Sequence, residues 1–453
     1  MQAHSLSGTM EVRTDGHLYV GGCDTVTLAH RFGTPLLVLD EKLLRSNARR
    51  FLSSFASSRY PGGASVSYAA KAFLNSAMVR IVDEEGLGLD VVSGGELYVA
   101  LGAGLDPDRI IVNGNNKSET EIMMALEAGV RRLVVDSIPE LLLVSETAAG
   151  LGRRARVLLR LTPGVEAHTH DYIRTGHSNS KFGIGIDGGQ ALEATRLALS
   201  VKNVELLGFH CHIGSQIFAL ESYKLAAQVM LDFLAEARQE VGFTARELDL
   251  GGGLGIHYRG GDEPPSIEEY AATVIAAVVE GARERGLTLP HLMVEPGRSL
   301  VGEAGTTLYT VGAIKRAPGG RKYAAVDGGM TDNPRVALYQ AEYTALVANR
   351  MRDQAEEICS IAGSCCESGD MLLWDAKLPE LARGDILAFT STGAYTYSMS
   401  SNYNGHPRPA IVLAGDGRAE LVTERETYAD LVRHDLVPER LGGSRPNPMA
   451  KVI

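Results

Sequence analysis

Residues 65–93 read SVSYAAKAFLNSAMVRIVDEEGLGLDVVS. A β-branched apolar run ending at Lys71 is followed by a helical stretch from Phe73 to Glu85, then by a second apolar run ending at Ser93. Continuous hydrophobic strands alternating with helices predict a parallel sheet covered on both faces. The unit recurs along the chain: IIVNG ends at Gly114, LVVD at Asp136, ARVLLRLTP at Pro163, LLGFHCHIG at Gly214, ELDLGGG at Gly253 and HLMVEPGR at Arg298. Helical stretches such as Ser118 to Ala128 separate nearly all of these runs. Eight units over roughly 230 residues predict an α/β chain with a TIM-type (β/α)8 barrel, assigned to residues 39–300. In that fold the site is built where strands end, so a lysine, a His-rich strand, a triple glycine and Glu295-Pro296-Gly297-Arg298 converge on one mouth.

From about Gly302 the pattern changes to strand-like segments: TTLYTVGAIKR, KYAAVDGG, EICSIAG, DILAFTSTGAY and PAIVLAGD. Turns at Pro318-Gly319-Gly320 and Asp416-Gly417 punctuate them, as in an antiparallel β domain. Residues 301–453 are assigned to that domain together with residues 1–38. Between the fifth and sixth strands, HTHDYIRTGHSNSKFGIG is poorly periodic and predicts an active-site loop.

Bulk properties narrow the function. With 453 residues and ordinary apolar content, about two domains with ample core are expected. A net charge of −11 without a basic run argues against a nucleic-acid surface. There is no apolar run of membrane length and no signal-peptide pattern, and the five cysteines lack zinc-type spacing. A cytoplasmic enzyme with reduced thiols, no membrane contact and no metal is expected.

The strand ends carry the chemistry. A partly desolvated Lys71 can be neutral and form a Schiff base with a carbonyl cofactor; read alone, it also fits a surface lysine with an apolar stem. Gly251-Gly252-Gly253 either offers backbone N–H groups to a phosphate or makes a tight turn, and Ser215 could add a hydroxyl. Glu295 could pair with Arg298 and do nothing more. It could instead face a pyridine nitrogen and keep it protonated, leaving Arg298 for a substrate carboxylate. His210 and His212 alternate on one strand, an arrangement also used for metals. No carboxylate-rich set completes such a site in the sequence, so His212 is assigned to stacking on an aromatic cofactor and His210 to the core. In the second domain, Cys366 beside Glu367 suits a proton donor better than a nucleophile.

SYAAKAF, GLGLDVVSGGEL, HCHIGSQ, DLGGGLG, EPGRSLVGEAG, DGGMTDNPR-ALY, CCESGD and GAYTYSMSSNYN occur together and in order. Over nearly its whole length the chain resembles the bacterial diaminopimelate decarboxylases, fold-type III pyridoxal-phosphate enzymes related to alanine racemase and ornithine decarboxylase. The resemblance implies decarboxylation of meso-diaminopimelate to L-lysine with pyridoxal 5'-phosphate as cofactor. It implies Lys71 as the Schiff-base lysine, His212 as the stacking imidazole and Glu295 as the partner of the ring nitrogen. Ser215, Gly253, the backbone through Gly297 and Arg298, and Tyr395 correspond to phosphate and cofactor contacts. Arg298, Arg335, Tyr339, Glu367 and Tyr395 correspond to the substrate set, and Cys366 to the catalytic thiol. In the family Cys366 and Glu367 reach the partner subunit's site, implying a homodimer with shared active sites. One departure is Val336, where the motif has proline. Other readings are a related decarboxylase acting on ornithine, arginine or carrier-linked glutamate, a metal-dependent barrel hydrolase using His210 and His212, and an inactive binding homologue.

Overall fold

The computed structural model describes residues 6–165 and 180–443. These form two compact units. One comprises Leu44–His257 and Gly261–Gly302; the other comprises the described residues up to Leu43, Tyr258–Gly260 and those from Glu303 onward.

The first unit is a closed parallel barrel. Its strands are β1 (Ala64–Ala69), β2 (Gly88–Val91), β3 (Ile110–Val112), β4 (Arg132–Val135), β5 (Ala155–Thr162), β6 (Val204–His210), β7 (Glu247–Asp249) and β8 (His291–Val294). All eight apolar runs of the sequence become strands. Each pairs in parallel with the next, and Leu292 opposite Ala64 closes the ring. A short strand, Ile184–Gly185, pairs outside the ring with β5. Ile111, Val134, Leu158, Leu207 and Met293 form a buried apolar cluster drawn from five of the strands.

Side-chain caps set the helix boundaries. The helix after β1 spans Ser76–Glu84 and starts later than its periodicity suggests, because the Asn75 side chain accepts the Met78 N–H and fixes the first turn there. Ser118 and Glu121 form a capping box on the helix Glu119–Ala128. Among the described residues no helix is long and apolar enough to cross a membrane, and all five cysteines are free. Of the expected active-site loop, residues 168–185, residues 168–179 lie outside the described residues.

Arg132 and Glu247 start β4 and β7, strands that are not neighbours, so their buried ion pair meets through the barrel interior at its N-terminal end. Removing one partner strands a buried charge, which typically costs about 3–5 kcal/mol. Glu247→Ala is therefore expected to lower the urea midpoint clearly, and the paired change Arg132→Met with Glu247→Leu to restore most of it. Equal midpoints for Glu247→Ala and the parent would show that the pair carries no such penalty.

The second unit is built on a mixed sheet in which antiparallel pairs predominate. Its strand order is Met371–Leu378, Glu357–Ala362, Lys322–Val326, Gly305–Arg316, Leu36–Asp40, Ala410–Gly415 and Arg418–Thr423. Two of these pairs are parallel: Lys322–Val326 with Glu357–Ala362, and Leu36–Asp40 with Ala410–Gly415. The Asp416-Gly417 turn has positive φ at both residues and closes a tight hairpin, as its sequence suggests. Leu18, Val20, Leu36, Leu308, Ile386 and Val412 share one buried core.

Candidate active site

Lys71 is half-buried on a single 3-10 turn, Ala70–Ala72, directly after β1. That turn is tied to the chain following β8: the Ala69 N–H donates to the Pro296 carbonyl at 3.0 Å. A side chain at Gly297 would lie 3.1 Å from the Ala69 Cβ and 3.3 Å from that of Ala72. Gly297 is thus the residue that lets the Arg298 segment pack against the lysine turn. Arg298 is buried and donates from Nη2 to the Ser215 hydroxyl at 2.9 Å and from Nε at 3.3 Å.

The triple glycine is demanded by close backbone approach. At Gly251, with φ of +67°, a Cβ would sit 2.7 Å from both the Cys211 carbonyl oxygen and His212 Nδ1. One at Gly252 would collide with the Glu295 carbonyl. Their N–H groups are already engaged, Gly251 with Asp249 Oδ1 at 2.8 Å and Gly252 with His212 Nδ1 at 3.2 Å. Gly253 differs: it is half-exposed, and its N–H has no acceptor among the described residues. All three glycines serve close backbone approach, since a side chain at Gly253, with φ of +105°, would collide with the Gly214 carbonyl, and Gly253 is the one of the three whose N–H remains available.

His212 is half-buried. Burial, then the positive charges of Lys71 and Arg160, hold its imidazole well below the usual range. It is neutral at pH 7, with Nδ1 accepting from Gly252 and the proton on Nε2. A neutral ring held by a backbone amide offers a fixed flat face.

Glu295 is the centre of a buried polar cluster. Its Oε1 accepts from Asn113 Nδ2 at 2.9 Å, and its Oε2 pairs with His210 Nε2 at 3.1 Å. Burial works against ionisation, but the electrostatic pull and hydrogen bond of His210 and the charge of Lys71 outweigh it, so the carboxyl titrates below its usual range. Asp90 and Asp249 are buried nearby and behave in the opposite way. Burial and the charge of Glu295 raise Asp90 to about 8 and Asp249 well above the ordinary range. Glu295 is thus the carboxylate of the three that is ionised at neutral pH.

This cluster corrects two sequence-based readings. His210 is only half satisfied, since its Nδ1 has no hydrogen-bond partner among the described residues. Carboxylates do gather around it: ligand-capable atoms of His210, Asp249 and Glu295 lie within 4.8 Å of one another. Burial keeps Asp249 protonated and N–H donors occupy both Glu295 oxygens, so the arrangement shares protons rather than presenting a ready set of metal ligands. Sequence reasoning missed Asp90, Asn113, Asp249 and Arg160. The signal was available as polar residues interrupting or ending apolar barrel runs at LGLDVV, IIVN, ELDL and VLLRL.

The second unit carries the remaining predicted residues. Arg335 begins a short helix, Arg335–Tyr339, that runs through Val336 without interruption. Its guanidinium is buried and donates to the Tyr258 hydroxyl at 2.7 Å and the Tyr343 hydroxyl at 3.1 Å. It also lies 5.1 Å from the Tyr258 ring centroid. Burial disfavours its charge, but Tyr258, Tyr343 and Tyr395 more than compensate, and its pKa is raised. No carboxylate of the described residues pairs with it. Tyr339 and Tyr395 are half-buried. Tyr258 and Tyr343 escaped sequence reasoning, because neither stands in a distinctive motif.

Cys366 and Glu367 are exposed on the loop joining Glu357–Ala362 to Met371–Leu378. Asp370 pins that loop: its Oδ2 accepts from the Cys365 N–H at 2.7 Å and its Oδ1 from the Met330 N–H at 2.6 Å. The Cys366 N–H donates to Asn404 Oδ1 at 2.7 Å.

The family profile described as "Pyridoxal-dependent decarboxylase, pyridoxal binding domain" matches residues 43–302. Diaminopimelate decarboxylase of Bacillus subtilis (strain 168) is 51% identical over 95% of this chain and 98% of its own length. The enzyme of that name from Halalkalibacterium halodurans is 51% identical over 95% and 97%. The crystal structure of diaminopimelate decarboxylase from M. jannaschii in complex with L-lysine superposes with a TM-score of 0.90 at 39% identity, covering 96% of this chain and 99% of the other. With a pyridoxal-binding barrel matched and near-complete coverage at half identity, the chain belongs to the diaminopimelate decarboxylases, within the pyridoxal-dependent decarboxylases.

Proposed function

We infer that the chain decarboxylates meso-2,6-diaminopimelate to L-lysine and CO2 with pyridoxal 5'-phosphate, closing lysine biosynthesis. The observation that carries this reading is the near-full-length identity of about half to diaminopimelate decarboxylases, joined to a barrel mouth whose donor set suits the cofactor. An amine (Lys71) is available for its carbonyl, and a buried carboxylate (Glu295) for its ring nitrogen. A neutral imidazole (His212) suits its ring face. The Ser215 hydroxyl, the Arg298 guanidinium and the Gly253 N–H suit its phosphate. The Arg298–Ser215 hydrogen bonds favour the phosphate role for Arg298 over the substrate role.

Bound pyridoxal phosphate supplies an electron sink for the pair left when the Cα–carboxylate bond breaks. The protein does the rest by position. Lys71 would hold the cofactor through its Nζ, the amine suited to the cofactor's carbonyl. Glu295, held ionised, keeps a proton on the ring nitrogen and so strengthens the sink. Arg335, a buried cation braced by two tyrosine hydroxyls, offers its remaining N–H groups to a substrate carboxylate, with Tyr339 and Tyr395 completing that side. Glu367 supplies the acid for the distal ammonium. Cys366 Sγ gives its proton to Cα after CO2 leaves, and decarboxylation is directed to the D centre.

The active sites are shared in a homodimer, with Cys366 and Glu367 acting in the partner subunit's site. Their exposure supports this arrangement, as do the exposed Ile358 and Trp374 on the two strands that carry their loop and the exposed Leu338 on the helix bearing Arg335.

CO2 release from a panel of amino acids tests the substrate. The meso isomer is expected to be turned over at least about 100-fold faster than ornithine, arginine or the LL isomer, since unpaired polar groups in a built site discriminate at that level or above. Comparable rates for ornithine and meso-diaminopimelate would sink the assignment.

A further inference from the structure

Asn113 ends the apolar run IIVN, where a turn residue would suffice. Its amide nitrogen donates to two buried carboxyls at once, Asp90 Oδ1 at 2.7 Å and Glu295 Oε1 at 2.9 Å. The three residues stand at the ends of β2, β3 and β8, and β3 and β8 are not neighbours, so the bridge to Glu295 crosses the barrel interior. With acceptors on both sides, the nitrogen rather than the carbonyl must face them. The amide carbonyl is consequently left buried with no hydrogen-bond partner among the described residues. Asn113 thus leaves its own acceptor unsatisfied while holding two buried carboxyl oxygens that a leucine of similar size would orphan. The arrangement makes sense through what the two N–H groups hold.

We propose that Asn113 is a positioning residue for the cofactor: it fixes the orientation of the Glu295 carboxylate, so that Glu295 retains a proton on the ring nitrogen. This rests on the reading of Glu295 given above. The groups facing the pair support the assignment. His210 occupies the other Glu295 oxygen, Lys71 adds positive charge, and Asp249 and Asp90 are pushed toward their neutral forms. Without the Asn113 amide, Glu295 loses one of its two N–H donors and becomes a better proton acceptor in its own right. It then competes for the proton that the ring nitrogen needs.

The test uses holoenzyme reconstituted with pyridoxal phosphate labelled with 15N in the ring, whose chemical shift reports whether that nitrogen is protonated. Asn113→Leu removes both donors, and the isosteric Asn113→Asp replaces them with a further carboxyl, which keeps the test open if the leucine variant fails to fold. Either substitution is expected to move the ring-nitrogen signal toward the unprotonated position. Either should also lower kcat by roughly 10- to 100-fold, the span of one lost hydrogen bond to a charged group, while KM stays within about twofold. In a Glu295→Gln background the same substitutions should leave both readouts nearly unchanged, because the residue through which Asn113 acts is gone. If Glu295→Gln alone leaves the signal at its protonated position, the carboxylate reading fails and takes this inference with it. If Glu295→Gln moves the signal but neither Asn113 variant does, or if the Asn113 variants depress kcat equally in both backgrounds, the inference is overturned and the reading of Glu295 stands.

Discussion

Lys71→Ala is expected to yield a folded protein without measurable turnover and without the visible absorption of lysine-bound cofactor. The turn that carries Lys71 is held by backbone contacts, with Ala69 hydrogen-bonded to Pro296 and Gly297 packed on Ala69 and Ala72. Removing the side chain therefore leaves the strand end in place. Phosphate and ring contacts remain available in the variant, so cofactor should still be retained, though not covalently. Losing the nucleophile of a covalent mechanism commonly costs several orders of magnitude in rate. Absorbance before and after borohydride reduction, with mass measurement of the peptide containing residue 71, separates the outcomes. A Lys71→Ala protein that keeps the band, or that is still labelled elsewhere, would assign the amine to another lysine.

The second large effect is a recovery. Lys71→Ala and Glu367→Ala protomers are each expected to be inactive alone. If Cys366 and Glu367 act in the partner subunit's site, a mixed dimer collects both lesions in one site and leaves the other fully native. Random exchange of equal amounts makes about half the dimers mixed, and activity should approach about a quarter of the parent's, given the twofold symmetry usual for such assemblies. Exchange is verified separately by native mass spectrometry. Verified exchange with no recovery would return the acid and the thiol to the chain that holds Lys71.

The eight strands were legible because each is a continuous apolar run buried on both faces, a pattern that needs no tertiary information. The candidate residues at their ends could be located for a related reason: the barrel sends every strand end to one side, so Lys71, His212, Gly253 and Glu295 are gathered by topology alone. Partnerships were less legible. Asp90 looks like an odd residue in a strand and Asn113 like a turn former, and only register across non-neighbouring strands reveals that both meet through one amide. Arg335 stood out by its motif, but the tyrosines that brace it did not. Tyr258 lies in sequence between two barrel strands yet belongs to the other unit. The strand Met371–Leu378, which carries Trp374 and follows the Cys366 loop, lacks clean alternation, since its exposed positions mix apolar and charged residues.

The close approach of backbones at the glycine run bears on how such chains are recognised. All three glycines are demanded by the convergence of backbones, whatever the barrel binds, and of the three Gly253 alone has an N–H without an acceptor among the described residues. A descendant that abandoned catalysis would still be under selection to keep all three. The triplet as a whole is thus a marker of ancestry in this architecture. Evidence that a relative still works must come from residues the backbone does not demand, such as the lysine of the turn after β1 and the buried carboxylate after β8.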